Sequence, residues 1–286
     1  MLLSAVAFLL SLKKRPKLIK LKSEYMIALQ ASVTAAEKIM QFYKEGFQTD
    51  FKSDGSPVTQ ADLASSAIID SFLIPTGIPI TGEETVKTPY SERINWTESW
   101  CVDPLDGTKE FVKQNGEFAI NIALIRNGKP VFGVIASPVE QKILFGGKET
   151  GVYITAMSDW SNSDNWTELL DTYLINKPLV VTCSRSHHSG PVLQFLNDLK
   201  DIHSELEFIK KGSSLKFFDL ALGHADAYPR YAPTMEWDIA AGQAILEGLG
   251  GSVVHAHTHE PLRYNKDNLT NPYFIAKTKA LIEFEK

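Results

Sequence analysis

Trp100-Cys-Val-Asp103-Pro-Leu-Asp106-Gly-Thr108 is the most informative stretch of the chain. Its apolar head, Trp100–Val102, predicts a short strand that delivers two carboxylates, three positions apart, into a turn. Pro104 restricts φ there, and Gly107 lets backbone amides approach a ligand closely. Thr108 adds a hydroxyl and an N–H where the chain turns away. Hard oxygen ligands beside exposed amides describe a Mg²⁺ site next to a phosphate cradle. A lone D-x-x-D reads more simply as an Asx-turn, with both aspartates bonded to their own backbone. The rest of the chain decides between the two.

Three further segments bear on that choice. Gly82-Glu83-Glu84 follows the apolar run Ile78–Ile80, where a surface turn is the plainer reading. Trp237-Asp238-Ile-Ala-Ala-Gly242 sets an acid at the start of a helix whose small residues permit close packing. Asp238 there is either a helix-start charge or a ligand. In Ser56-Pro-Val-Thr59-Gln-Ala-Asp62, Thr59 and Asp62 fit a capping box, and Asp62 taken alone reads as a cap.

Around these segments, apolar spacing predicts a helix from Ser23 to about Phe42, ended by Gly46, and a second from Thr59 to about Leu73. Strands follow at 100–102, 118–125 and 131–136, with Asn127-Gly128 as a hairpin turn, and at 143–145 and 151–154. The polar stretch 157–178 reads as an insertion or long loop. Helices and strands then alternate to Ala256. The expectation is an α/β architecture, an α+β sandwich of alternating helix and sheet layers. Two halves, 23–165 and 166–286, are expected, the first carrying the metal loop and the second the last acidic ligand.

Composition narrows the function. The 286 residues are 44% hydrophobic and 22% charged, which fits neither a disordered chain nor a membrane bundle. With 29 Lys plus Arg against 34 Asp plus Glu, the net charge of −5 gives no general affinity for nucleic acid. Two cysteines, Cys101 and Cys183, make neither a disulfide framework nor a Cys-based zinc site and point to the cytoplasm. Residues 1–22 stand apart: an apolar tip, MLLSAVAFLL, precedes six basic residues and no acid. That order is the reverse of a secretory signal, and the apolar run is about half the ~20 residues a spanning helix needs. The favoured expectation is a disordered or non-native extension, with Met26 a natural start. The alternative is a peripheral anchor on the cytoplasmic face of the inner membrane.

Taken together and in this order, the acidic segments resemble the inositol monophosphatase-like superfamily of Mg²⁺-dependent, lithium-sensitive phosphatases. The resemblance covers roughly residues 24–275. Within the superfamily it is closest to the CysQ-type 3′(2′),5′-bisphosphate nucleotidases. The stretches that carry it include Asp103-Pro-Leu-Asp-Gly-Thr-Lys-Glu-Phe111, Asn115-Gly-Glu-Phe118, Ser184-Arg-Ser-His187, Gly212-Ser-Ser-Leu-Lys-Phe217 and Tyr228-Pro-Arg230. Inositol monophosphatases usually have Thr-Asn-Phe after D-G-T, where this chain has Lys109-Glu110-Phe111.

The resemblance implies the layered fold and two or three Mg²⁺ ions per site. Their ligands would be Glu83, Asp103, Asp106, Asp238 and the Leu105 carbonyl. It implies that Asp62 and Thr108 orient and deprotonate the attacking water, and that the Gly107 and Thr108 amides hold the scissile phosphate. It carries nucleotide binding onto Ser184, His187, Gly212 and Lys216. Arg230 is added because a guanidinium suits a second phosphate. The implied reaction is hydrolysis of adenosine 3′,5′-bisphosphate to AMP and phosphate, clearing a by-product of sulfate assimilation and sulfotransfer. The implied partner is that small nucleotide bisphosphate and no nucleic acid; the oligomeric state stays open.

Two alternatives remain at this point. One is an inositol monophosphate phosphatase, and the other is a membrane-attached sensor that binds phosphonucleotides without turnover. No G-x-S-x-G or C-x₅-R nucleophile signature is present. His255-Ala-His257-Thr-His259 would put three imidazoles on one face of a strand, and a solvated edge is favoured over a metal site. Cys101 reads as a small core residue.

Overall fold

The computed structural model describes residues 21–53, 55–171, 174–183, 191–203 and 205–286. It begins with a long helix, α1 (Ser23–Glu45). A two-stranded hairpin follows, β1 (Thr49–Phe51) with β2 (Pro57–Thr59), and then α2 (Gln60–Leu73). Gly46 ends α1 at a φ of 103°, its amide closing onto the Phe42 carbonyl. α2 starts from the Thr59–Asp62 capping box that the sequence predicts. The Gly/Ser/Pro break between these helices lies in the turn of the hairpin, which the short β1 and β2 runs did not reveal as strands.

A seven-stranded sheet comes next, assembled in chain order. Its strands are β3 (Ile80–Gly82), β4 (Glu98–Asp106), β5 (Ala119–Arg126), β6 (Lys129–Ser137), β7 (Lys142–Gly147), β8 (Gly151–Ala156) and β9 (Thr167–Leu169). The short helices α3 (Tyr90–Arg93) and α4 (Thr108–Val112) lie on either side of β4 in sequence. β3 pairs with β4 in parallel and every later pair is antiparallel. Asn127 and Gly128 turn β5 into β6, both at positive φ (51° and 71°), as a two-residue hairpin loop requires. The stretch 157–178 is more than a loop. It supplies β9 at the sheet edge, anchored by Trp166 stacked edge-on against Phe145 at 4.9 Å.

The remaining elements are β10 (Leu179–Cys183), α5 (Pro191–His203), β11 (Leu206–Lys210), α6 (Lys216–Ala221), β12 (Ala227–Arg230) and α7 (Glu236–Gly248). β13 (Ser252–His255), β14 (Phe274–Lys277) and α8 (Lys279–Phe284) complete the chain. They form a five-stranded sheet of order β11-β10-β12-β14-β13, with β14 inserted antiparallel between β12 and β13.

Three buried clusters show how the layers stack. Tyr25, Leu29, Ile39, Ile69, Trp100 and Phe132 join α1 and α2 to one face of the first sheet. Ile135, Leu144, Phe217, Ile245, Val253 and Phe274 bury α6 and α7 between the two sheets. Leu179, Phe195, Leu199, Ile275 and Leu281 seal α5 and α8 on the outer face of the second. The alternation of β5 explains the sandwich: Ile120, Ile122 and Leu124 point to the α1–α2 side, Ala119 and Ala123 to α7. Close approach on the α7 side needs small residues. A Cβ on Gly133 would lie 2.3 Å from the Ala241 carbonyl, and one on Gly242 would lie 2.2 Å from the Phe217 ring.

Candidate active site

The C-terminal end of β4 makes the centre of the site. β4 and β5 pair regularly from Glu98↔Arg126 to Asp103↔Asn121, then slip so that Asp106 faces Ala119. The extra residue is a bulge that turns the strand end and re-aims its side chains. Ser65 fixes the bulge by donating to the Pro104 carbonyl at 2.7 Å. The Asx-turn reading is half right. Asp103 accepts the Leu105 amide at 3.0 Å, whereas Asp106 accepts the Ser214 amide and the Asn121 side chain from distant parts of the chain. Gly107 has a φ of 95°, and a Cβ there would meet the Glu117 carbonyl at 3.0 Å.

Asp62 and Thr108 come together beside this turn. Thr108 Oγ1 donates to Asp62 Oδ1 at 2.8 Å, while Asp62 Oδ2 accepts the Thr59 amide and hydroxyl at 2.8 and 2.6 Å. Asp62 is therefore both the helix cap and the partner of Thr108. Burial raises its pKa, against the opposing pull of the Thr59 and Thr108 bonds.

Glu83, Asp103, Asp106 and Asp238 converge from three chain segments, and all four have raised pKa values with burial as the main cause. Asp103 is raised further by the charges of Glu83, Asp106 and Asp238. Asp238 is pushed up to about 8 by burial and then by Asp106, despite a 2.8 Å bond from the Met235 amide. Glu83 is held at 2.7 Å by Lys52 of the hairpin turn, which also pairs with Glu84. Among the described residues, no group of three His, Cys, Asp or Glu is arranged to hold a metal ion. The donor chemistry nonetheless fits a hard divalent cation: buried carboxylates that repel one another, with lysine charges only at the edges, Lys52 at Glu83 and Lys216 near Asp106. Lys87 ties two parts of the site together. It donates to the Gly82 and Glu83 carbonyls and stands 4.4 Å over the Trp237 ring, next to Asp238.

A cleft of about 350 Å³ adjoins Asp106, Gly107 and Asp238 and is walled by Gly212, Lys216, Tyr228 and Arg230. Lys216 is buried. Its ammonium donates to the Ser213 and Lys211 carbonyls (2.6 and 3.1 Å) and lies 5.1 Å over the Tyr228 ring. Burial lowers its pKa to about 8. Arg230 Nη2 donates to the Pro233 carbonyl at 3.4 Å. The Gly212 amide donates to Glu117 Oε2 at 2.8 Å.

The structure thus gathers Asp62, Glu83, Asp103, Leu105, Asp106, Gly107, Thr108 and Asp238 at one place, with Gly212, Lys216 and Arg230 on the adjoining cleft. Ser184 and His187 lie outside the described residues. Lys52, Lys87, Glu117, Asn121 and Ser214 were not expected at the site. Of these, Glu117 and Ser214 sit in stretches already quoted, Asn115–Phe118 and Gly212–Phe217, while Lys52 and Lys87 had no motif to mark them.

The histidine triplet does not share a strand face. β13 ends at His255, whose Nδ1 accepts the His257 and Thr258 amides, and His259 turns away at a φ of 59°. Cys101 is buried in the core. Among the described residues no helix is long and apolar enough to cross a membrane.

The fold and this carboxylate-lined site match one family, and the chain belongs to it: the inositol monophosphatase family, whose model matches residues 20–283. Members of this family are metal-dependent phosphatases, typically using Mg²⁺. The chain is 38% identical over 250 residues to the 3′(2′),5′-bisphosphate nucleotidase CysQ of Shigella flexneri, covering 86% of this chain and 96% of that one. It is 31% identical to the CysQ of Haemophilus influenzae, covering 84% and 87%. Among solved structures, CysQ from Bacteroides thetaiotaomicron superposes with a TM-score of 0.79 at 40% identity, over 90% of this chain and 97% of that one. The suhB protein of Bartonella henselae, at 23% identity, shares the fold with a TM-score of 0.71 over 92% and 97%.

Proposed function

We propose that this protein is a Mg²⁺-dependent 3′(2′),5′-bisphosphate nucleotidase that converts adenosine 3′,5′-bisphosphate to AMP and phosphate. The observation that carries the reading is the cleft itself. Lys216 and Arg230 face it beyond Asp106 and Gly107, where a substrate with a second phosphate would extend. The relatives named CysQ support the same substrate class.

In this reading Glu83, Asp103, Asp106, Asp238 and the Leu105 carbonyl hold two or three Mg²⁺ ions. Bound there, the ions supply the positive charge that lets water attack a phosphomonoester dianion and that stabilises the departing oxygen. Thr108, whose hydroxyl donates to Asp62, keeps its lone pairs for the proton of the attacking water, and its own proton passes to the Asp62 carboxylate. The Gly107 and Thr108 amides, at the start of α4, hold the phosphate being cleaved. Ser184, His187, Gly212, Lys216 and Arg230 take the rest of the nucleotide, Gly212 through its carbonyl or its Cα since Glu117 already holds its amide. The cytoplasm is the proposed location. The chain halves are proposed to divide the work: 23–165 carries the metal loop, and 166–286 carries the nucleotide-binding residues and the last metal ligand, Asp238.

Phosphate release from adenosine 3′,5′-bisphosphate and from inositol 1-phosphate, each with Mg²⁺ and with EDTA, tests the proposal. The bisphosphate should be strongly preferred, and EDTA should abolish turnover.

A further inference from the structure

The segment Gly212–Ser214 hangs between two carboxylates, Asp106 at the end of β4 and Glu117 in the loop that leads into β5. The Ser214 amide donates to Asp106, and the Gly212 amide donates to Glu117 Oε2 at 2.8 Å. Glu117 is itself firmly placed. Its amide is held by Asn115 Oδ1 at 3.0 Å, Gly116 before it turns at a φ of 80°, and Phe118 after it is buried against Phe111. Gly212 lies directly on this support: a Cβ there would be 2.9 Å from both Glu110 Cγ and the Glu117 carbonyl. The segment so held supplies, with Lys211, the carbonyls that grip the Lys216 ammonium. Lys216 is buried at the cleft wall, so its charge points wherever that collar puts it.

We infer that Glu117 is a positioning residue for substrate choice: through the Gly212 amide it sets the loop that aims Lys216 at the second phosphate of the substrate. The inference rests on the bisphosphate reading above and assigns a role to a side chain outside the set proposed to hold the metal and the phosphate being cleaved. A carboxylate fits the task because a charge-assisted bond to a half-buried amide is about twice as strong as a neutral one. An amide side chain of the same length keeps an acceptor at the same place, whereas alanine leaves the Gly212 amide without this partner.

Adenosine 3′,5′-bisphosphate and adenosine 3′-monophosphate differ only in the second phosphate, so their KM values separate this role from a general one. Glu117→Ala should raise KM for the bisphosphate about tenfold while moving kcat and KM for the monophosphate less than about twofold. Glu117→Gln should restore most of the loss. In a Lys216→Ala background, Glu117→Ala should add less than about twofold, because its effect runs through Lys216. Equal changes for both substrates, no change for either, or full additivity with Lys216→Ala would overturn the inference. Should Glu117→Ala melt well below the wild type, Glu117→Asp, which draws the carboxylate back by one methylene, must show the same substrate-selective rise. A wild-type enzyme that does not prefer the bisphosphate would instead sink the functional reading, and this inference with it.

Discussion

Asp62 Oδ1 accepts a 2.8 Å hydrogen bond from the Thr108 hydroxyl, although the two residues lie 46 positions apart. The other carboxylate oxygen is held by Thr59, so the start of α2 and the phosphate turn are joined through one side chain. Thr108→Val should lower kcat by about two to four orders of magnitude, the usual worth of a proton-transfer group. Thr108→Ser should keep most of the rate. Since the Thr59 bonds survive in both variants, melting curves should stay close to the wild type. A valine variant with near-normal kcat would show the pair to be purely structural.

Asp106 separates the metal reading from the Asx-turn reading. Its carboxylate is buried beside Asp103 and Asp238 and takes the Ser214 amide from the second half of the chain. Asp106→Asn should lose turnover by orders of magnitude with the fold retained. A large drop in melting temperature with activity preserved per folded molecule would favour the turn.

The clustered carboxylates make stability depend on pH in a definite direction. Glu83, Asp103, Asp106 and Asp238 bind protons more tightly folded than unfolded, because burial and mutual repulsion raise them above about 4. Their stabilising contribution is complete below about pH 4 and is lost as pH rises through the folded values, about 8 for Asp238. The EDTA-treated protein should therefore melt lower at pH 8 than at pH 5. Mg²⁺ binds the deprotonated forms, so the rise in Tm on adding it should be larger at pH 8. The opposite order in differential scanning calorimetry would contradict the assigned ligand set.

Much of this arrangement was legible in the chain. Period-2 and period-3.6 patterns gave the long helices and most of the first sheet, and Asn127-Gly128 marked its central turn. The elements that escaped are short or borrowed, among them β1 and β2, three residues each, α3, β9 inside a polar stretch, α8, and β14, whose place between β12 and β13 is a matter of topology. At the site, ligand-type residues announced themselves by motif. Asp62 read as a cap because its second partner, Thr108, is far away in sequence. Lys52 and Lys87 stayed invisible because a single lysine in a polar loop carries no periodicity and no spacing.

Lys216 gives a pH effect on recognition. Burial lowers its pKa to about 8, so the free protein loses this charge as pH rises past that value. The ratio of kcat/KM for adenosine 3′,5′-bisphosphate to that for adenosine 3′-monophosphate should fall above pH 8, approaching tenfold per pH unit. It should be highest near pH 7, since below about pH 6 the second phosphate itself gains a proton. Lys216→Ala should lower this ratio at neutral pH by about ten- to a hundredfold, the cost of one charged contact to phosphate, and abolish its pH dependence. A ratio that is level from pH 6 to pH 10 in the wild type would remove Lys216 from substrate recognition.

The central claim is that a metal-loaded carboxylate site here cleaves a nucleotide bisphosphate. Steady-state phosphate release from adenosine 3′,5′-bisphosphate and inositol 1-phosphate by the purified protein, with Mg²⁺ and with EDTA, tests it most directly. We predict a kcat/KM about ten- to a hundredfold higher for the bisphosphate, as one charged phosphate contact allows, and no turnover with EDTA. Equal or reversed preference, or full activity in EDTA, would contradict it.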